Sequence, residues 1–135
     1  MHKSIKAIAA SILSFTVATA VYAQRPPEQW VQVVTTEDGN RIYLDLSSQV
    51  RLFDSGVKKS TFRTVTTSPE GRSLRGMRYQ ADCFQRTLAL QAVEIVNAQG
   101  SFVRRVPLES ADKAPTVPTK DTVAEAILQY ACSQF

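Results

Sequence analysis

The sequence predicts a small α+β domain: an antiparallel sheet of about six strands, with one C-terminal helix packed on one face and disulfide-linked to it. Three observations carry that prediction. Short β-rich runs alternate with turn signals from residue 30 to residue 106. One amphipathic segment with a capping signature lies near the end of the chain. The two cysteines, Cys83 and Cys132, fall one in the strand region and one in that segment.

Residues 1–23 read as a secretory signal peptide. Lys3 and Lys6 precede an apolar run over residues 7–20, and Val21-Tyr22-Ala23 supplies small side chains at the two positions a signal peptidase reads. The run is shorter than the roughly 20 apolar residues that a membrane span requires. Processing after Ala23 leaves residues 24–135 as a single domain. No lipidatable cysteine adjoins the cleavage site and no second apolar run follows, so neither a lipid anchor nor a transmembrane segment is expected, and the chain is expected to be exported to the periplasm, the medium or the cell surface. Loss of Lys3 and Lys6 leaves fourteen basic residues against twelve acidic ones, a net charge of +2 where the full chain carries +4. So small an excess does not call for a nucleic-acid partner.

Residues 24–29 form an extended lead-in stiffened by Pro26 and Pro27. The first strand (residues 30–36) runs into Asp38-Gly39-Asn40, a hairpin signal. Residues 41–46 form the second, followed by Ser47-Ser48 and a short apolar segment, 50–53, before the turn Asp54-Ser55-Gly56. The third covers 58–67 and ends at Ser68-Pro69-Glu70-Gly71. The fourth covers 73–83, and its alternation sets Met77, Tyr79, Ala81 and Cys83 on one face and Arg78, Gln80 and Asp82 on the other. Strands over 87–96 and 101–106 follow, separated by Asn97-Ala98-Gln99-Gly100. Gly76, inside a strand, marks a bulge or a close contact. Short loops between six strands imply hairpins.

Pro107, Pro115 and Pro118 make residues 107–119 a connecting arm. The helix covers 122–133. Thr122 and Glu125 form a capping box, and Val123, Ile127, Tyr130 and Ala131 make one apolar stripe flanked by Leu128 and Cys132. A helix this short is marginal alone in water, so it needs the sheet to lie on. Two cysteines in an exported chain predict a disulfide; separate buried thiols or one reactive thiol are the alternatives. Trp30, Tyr43, Phe62, Tyr79 and Tyr130 are expected in the core.

The chemistry points away from catalysis. The single histidine, His2, leaves with the signal, which removes Ser-His and Cys-His nucleophile pairs and imidazole metal ligands. No glycine-rich phosphate loop is present and no cofactor or metal is implied. Asp45 suits an Asx turn over Ser47-Ser48, while Asp82 and Glu94 suit solvated strand positions or pairing with arginines. The chain is read as no enzyme. Its one functional-looking feature is basic: Lys58, Lys59, Arg63, Arg75 and Arg78, with Arg72 and Arg86 nearby, outline a patch suited to an acidic protein loop, a sulfated glycan or lipid headgroups. The bland alternative is solvating charge that discourages edge-to-edge aggregation.

Several pieces resemble the surface-adhesin protein E family of small exported bacterial proteins: Asp38-Gly39-Asn40 ahead of Ile42-Tyr43-Leu44-Asp45, then Asp82-Cys83, the Asn97–Gly100 turn, and the ending Thr122-Val123-Ala124-Glu125-Ala126-Ile127-Leu128-Gln129-Tyr130-Ala131-Cys132. The resemblance spans about residues 30 to 132. It implies an antiparallel sheet with a helix disulfide-linked to it, and adhesion to host extracellular-matrix proteins at the cell surface. The family's named adhesin is a lipoprotein, whereas this chain has no cysteine to lipidate, and Lys120-Asp121 stands where the family favours Pro and a small residue. The expected function is therefore an exported, adhesin-like, non-catalytic binding protein that engages a protein or acidic glycan through the open sheet face or loops. The alternative is a periplasmic accessory factor, an inhibitor or assembly partner of another envelope protein.

Overall fold

A computed structural model describes residues 29–133, apart from the side chains of residues 111 and 112. The predicted signal segment and all of the lead-in but Gln29 lie outside the described residues. Six strands follow one another in space as in sequence: β1 (Trp30–Thr35), β2 (Arg41–Asp54), β3 (Val57–Thr67), β4 (Ser73–Asp82), β5 (Thr87–Val96) and β6 (Phe102–Pro107), every neighbour antiparallel. Helix α1 (Val123–Ser133) lies on one face. No described helix is long and apolar enough to cross a membrane.

Three of the five hairpin turns share one design. In Thr36–Asn40, Ser68–Arg72 and Asn97–Ser101 the first carbonyl accepts from the amide of the fourth residue and the first amide donates to the fifth carbonyl, at 2.8–3.0 Å. That closure needs the fourth residue at positive φ, and Gly39, Gly71 and Gly100 sit at 85°, 92° and 83°. All three turns lie at one end of the sheet. The β2–β3 and β4–β5 turns lie at the other.

Alternation decides the helix-side core. Ile42 and Leu44 of β2, Phe62 of β3, Ala81 of β4 and Leu88 of β5 meet Ile127, Leu128 and Ala131 of α1. Phe62 and Leu44 are fully buried. A bulge in β1 sets Val33 between the pairs Gln32–Tyr43 and Val34–Ile42, and both valines pack on this cluster. Tyr79 and Tyr130 join it, with the Tyr79 ring 5.8 Å from that of Phe62. Tyr43 is buried as expected, but with the half-buried Trp30 it packs on the opposite face, rings 5.9 Å apart, because Tyr43 alternates with Ile42 and Leu44.

The helix start also refines the prediction. Thr122 Oγ1 accepts from the Glu125 amide at 3.3 Å, as a cap should, but the Glu125 carboxylate takes the amide of Asp121, at 3.1 Å, in place of the cap residue's own. Asp121, at φ 62°, turns its N–H toward the helix. At the far end Cys132 is bonded to Cys83, with Cα atoms 5.5 Å apart and 49 residues between them in sequence. In the chain-entropy model, closing such a loop stabilises by roughly 4 kcal/mol.

The connecting arm is more ordered than its prolines suggest. Pro107 belongs to edge strand β6, where no further donor is required of it. Beyond it the Leu108 amide donates to the Gln91 carbonyl, a 3₁₀ turn spans Ser110–Lys113, and Thr116 exchanges two backbone hydrogen bonds with Leu88. The arm thereby seals the outer edge of β5 that β6 leaves open.

Two outcomes test this packing. Ile127→Asp places a carboxylate in the seam and forfeits about 1.5–3 kcal/mol of burial before any charge penalty. The variant is expected to bind a hydrophobic dye with its disulfide intact; a parent-like melt without dye binding refutes the packed helix. Burial pushes the Tyr79 phenol above its ordinary pKa, against the opposing charge of Arg75. Above pH roughly 10 the unfolded chain releases this proton before the folded one does, so stability falls with rising pH only in that alkaline range. Denaturation at stepped alkaline pH should show a shallower decline for Tyr79→Phe than for the parent; equal slopes refute the assignment.

Candidate functional site

The face away from α1 is organised around Arg63. From the middle of β3 its Nε donates to Glu94 Oε1 at 2.6 Å and its Nη1 to Asp45 Oδ2 at 3.2 Å. The Phe102 ring lies against the guanidinium, 4.1 Å from Cζ to centroid, a cation–π stack. The side chains of Arg63, Asp45 and Glu94 are only 15%, 10% and 12% exposed. The expectation that Arg63 belongs to a basic binding patch is therefore corrected. It is a structural node, because a guanidinium so far out of water must be matched by carboxylates.

The reach to Glu94 crosses β4 at Gly76. A Cβ there would stand 3.0 Å from Glu94 Oε1 and 3.1 Å from both Glu94 Cβ and Phe102 Cε1. Of the two readings of Gly76, the close contact is the one found, with Gly76 in unbroken register between Val65 and Glu94.

Asp45 does two things at once. Its Oδ1 accepts from the Ser47 amide and hydroxyl at 3.1 and 2.6 Å, the Asx turn read from the sequence, while Oδ2 takes Arg63. Register passes from Asp45–Arg63 directly to Val50–Thr61, so residues 46–49 stand against Phe62 alone. Side chains stand in for the missing ladder there: Ser48 Oγ accepts from the Arg63 amide, and Gln49 donates to the buried Ser60 hydroxyl. Asp82 takes the amides of Phe84 and Gln85 and so shapes the β4–β5 turn.

The predicted basic residues divide between faces. Arg78 stands directly opposite Arg63, on the same face. Lys59, paired with Asp82, shares that parity. Arg75 alternates with Gly76 onto the helix-side face, and Lys58 with Lys59, its Nζ 5.9 Å from the Phe53 ring. They do not form one patch. Two arginines that the sequence reading left out belong to the Arg63 face: Arg41, opposite Thr67, and the exposed Arg105, opposite Glu94. Alternation in β6 separates Arg104 from Arg105, but only the register tells which of them joins Arg63. Arg41, Arg78 and Arg105 form no ion pair among the described residues.

Nor is this face solvated at its centre, as expected for a sheet covered on one side only. Tyr43, Val65, Thr67 and Ala92 are buried on it beneath the longer side chains. Elsewhere a cleft of about 710 Å³ between the β1–β2 turn and the start of α1 is lined in part by Glu37, Asp38, Asp121 and Glu125. No group of three or more Cys, Asp or Glu among the described residues is placed to hold a metal.

The fold defines a class: a six-stranded antiparallel meander with a disulfide-tethered C-terminal helix. No protein-family model, curated protein or solved structure matches the chain.

The node generates one paired test. Arg63→Met leaves two largely buried carboxylates without their partner, and breaking a buried pair in this way costs about 3–5 kcal/mol. Gly76→Ala intrudes on Glu94 and Phe102, with about 1–3 kcal/mol expected from overpacking. Denaturant midpoints should fall for both, further for Arg63→Met; two parent-like midpoints refute the node.

Proposed function

We propose that this chain is an exported, adhesin-like, non-catalytic binding protein, and that it engages an acidic protein surface or sulfated glycan through Arg41, Arg78 and Arg105. One observation carries the reading. These arginines stand on β2, β4 and β6 of one face, around a centre where Arg63 already holds Asp45 and Glu94. Guanidiniums with no internal carboxylate are matched to an incoming carboxylate or sulfate, which they grip bidentately. The likeness of Ile42–Asp45 and Thr122–Cys132 to the surface-adhesin protein E family supports adhesion as the purpose, and the Cys83–Cys132 bond is compatible with an oxidising compartment. Lys58 and Arg75 have no part in the site, being on the other face, and Arg63 supports it from below.

The test separates the site from its support. Arg78→Gln with Arg105→Gln, both outside the ion network, should keep the parent's melting temperature and lose most capture of heparin-type glycan and of immobilised acidic matrix proteins. Capture by the parent should weaken with added salt. A folded double variant that captures as the parent does refutes the reading.

A further inference from the structure

The two ends of the sheet differ in chemistry. The end that carries the three glycine-closed turns is polar, with Glu37, Asp38, Glu70 and Arg72 in those turns. The opposite end gathers large apolar side chains in the open: Val50, Leu52 and Phe53 are 68%, 54% and 70% exposed, Phe84 55% and Val117 71%. Register places Val50 and Leu52 on the Arg63 side of the arm and Phe53 on the helix side, at the end of the sheet that also carries Phe84 and Val117. The β2–β3 and β4–β5 turns point the same way, Cys83 next to Phe84 donates its amide to the Lys58 carbonyl, and Val117 follows the Thr116–Leu88 bridge, one residue from the start of β5. Most of these side chains ride on a projecting arm. β1 reaches only as far as the Gln29–Leu46 hydrogen bond, so residues 50–54 of β2 have no described strand on their outer side.

A soluble domain seldom exposes so many large apolar groups at one place without a use for them. Their neighbours indicate the use. Arg51, Lys58, Lys59 and Arg86 stand among them, four basic residues against the two acidic ones Asp54 and Asp82. Aromatic and aliphatic tips interleaved with basic residues match the interface of an anionic bilayer, where rings and chains enter the headgroup region and cations meet lipid phosphates. Each basic residue near such a surface adds to the attraction, and salt screens it. A polysaccharide would have no use for Leu52 and Phe53, and a second copy of this end would bring like charge against like.

We infer that the β2–β3 arm, with the adjoining Phe84 turn, is a peripheral docking site for an anionic phospholipid surface. It holds the domain at a membrane by partial insertion of Leu52 and Phe53 and leaves the Arg78–Arg105 face available. The inference is independent of what that face binds.

The test uses the exported chain, processed after Ala23, so that the apolar segment 7–20 is absent. It should co-sediment with phosphatidylcholine vesicles containing phosphatidylglycerol, fail to do so with pure phosphatidylcholine, and come off as salt rises. Leu52→Asp with Phe53→Asp should weaken vesicle binding roughly tenfold or more, and Lys59→Glu with Arg86→Glu should also weaken it, while Val103→Asp at the other end should not. Phe53→Trp supplies a readout that does not depend on how the charged variants fold: emission from this tryptophan should be quenched by brominated phosphatidylglycerol. Absence of co-sedimentation overturns the inference, as does binding indifferent to the Leu52 and Phe53 changes or an unquenched Phe53→Trp. A concentration-dependent dimer abolished by Leu52→Asp, with no vesicle binding, would assign the arm to a second copy and overturn it equally.

Discussion

Arg63 is the point on which the uncovered face of the sheet turns. One short helix can cover one side of six strands, so the other side has to bury its own centre. It does so with a guanidinium that spans from Asp45 on β2 to Glu94 on β5 and lies against Phe102 of β6. Every strand from β2 to β6 contributes to this contact, β4 by withholding a side chain at Gly76. Arg78, opposite Arg63, and Arg105, opposite Glu94, stand on the same face outside this network. Like-charged neighbours across a strand pair normally repel, and Arg63 and Arg78 are compatible here because the carboxylates lie beside them. The arginine that holds the sheet together leaves its neighbours as cations with no carboxylate partner among the described residues.

The helix side is held by different physics. Ile127, Leu128 and Ala131 are buried against Phe62, Leu44 and Leu88, and the bond between Cys83 and Cys132 fixes the last turn in place. Eleven residues of helix have little stability of their own. The apolar seam and the covalent link together replace the second sheet or the longer helices that a larger domain would use. One face is thus secured by burial and a disulfide, the other by an ion network that tolerates water at its rim.

The long axis of the strands carries a second asymmetry. Closely matched turns keep one end short and polar, while the bulge at residues 46–49 lets β2 run on into an arm beyond the reach of β1. Beyond it the strand keeps β3 as its neighbour but has none described on its outer side, and its apolar residues stand exposed in place of joining the core.

The amino-acid sequence by itself determined the number and order of the strands, the capped helix and its apolar stripe, and the pairing of Cys83 with Cys132. These follow from local signals: period-two alternation, turn residues that permit positive φ, and a cap three residues ahead of Glu125. Asp45 was half legible, since its turn with Ser47 is local and its bond to Arg63 is not. Tertiary structure alone decided what the charged residues do. Arg63 and Glu94 are 31 residues apart in the chain, and nothing local marks one as the other's partner. Their meeting depends on the register of three successive hairpins and on a missing Cβ at Gly76. The division of Lys58 and Arg75 from Arg78, and the place of Arg105 beside Glu94, depend on the same registers. A shift of one residue would send each side chain to the other face, and such a shift is fixed by bulges and turns acting at a distance.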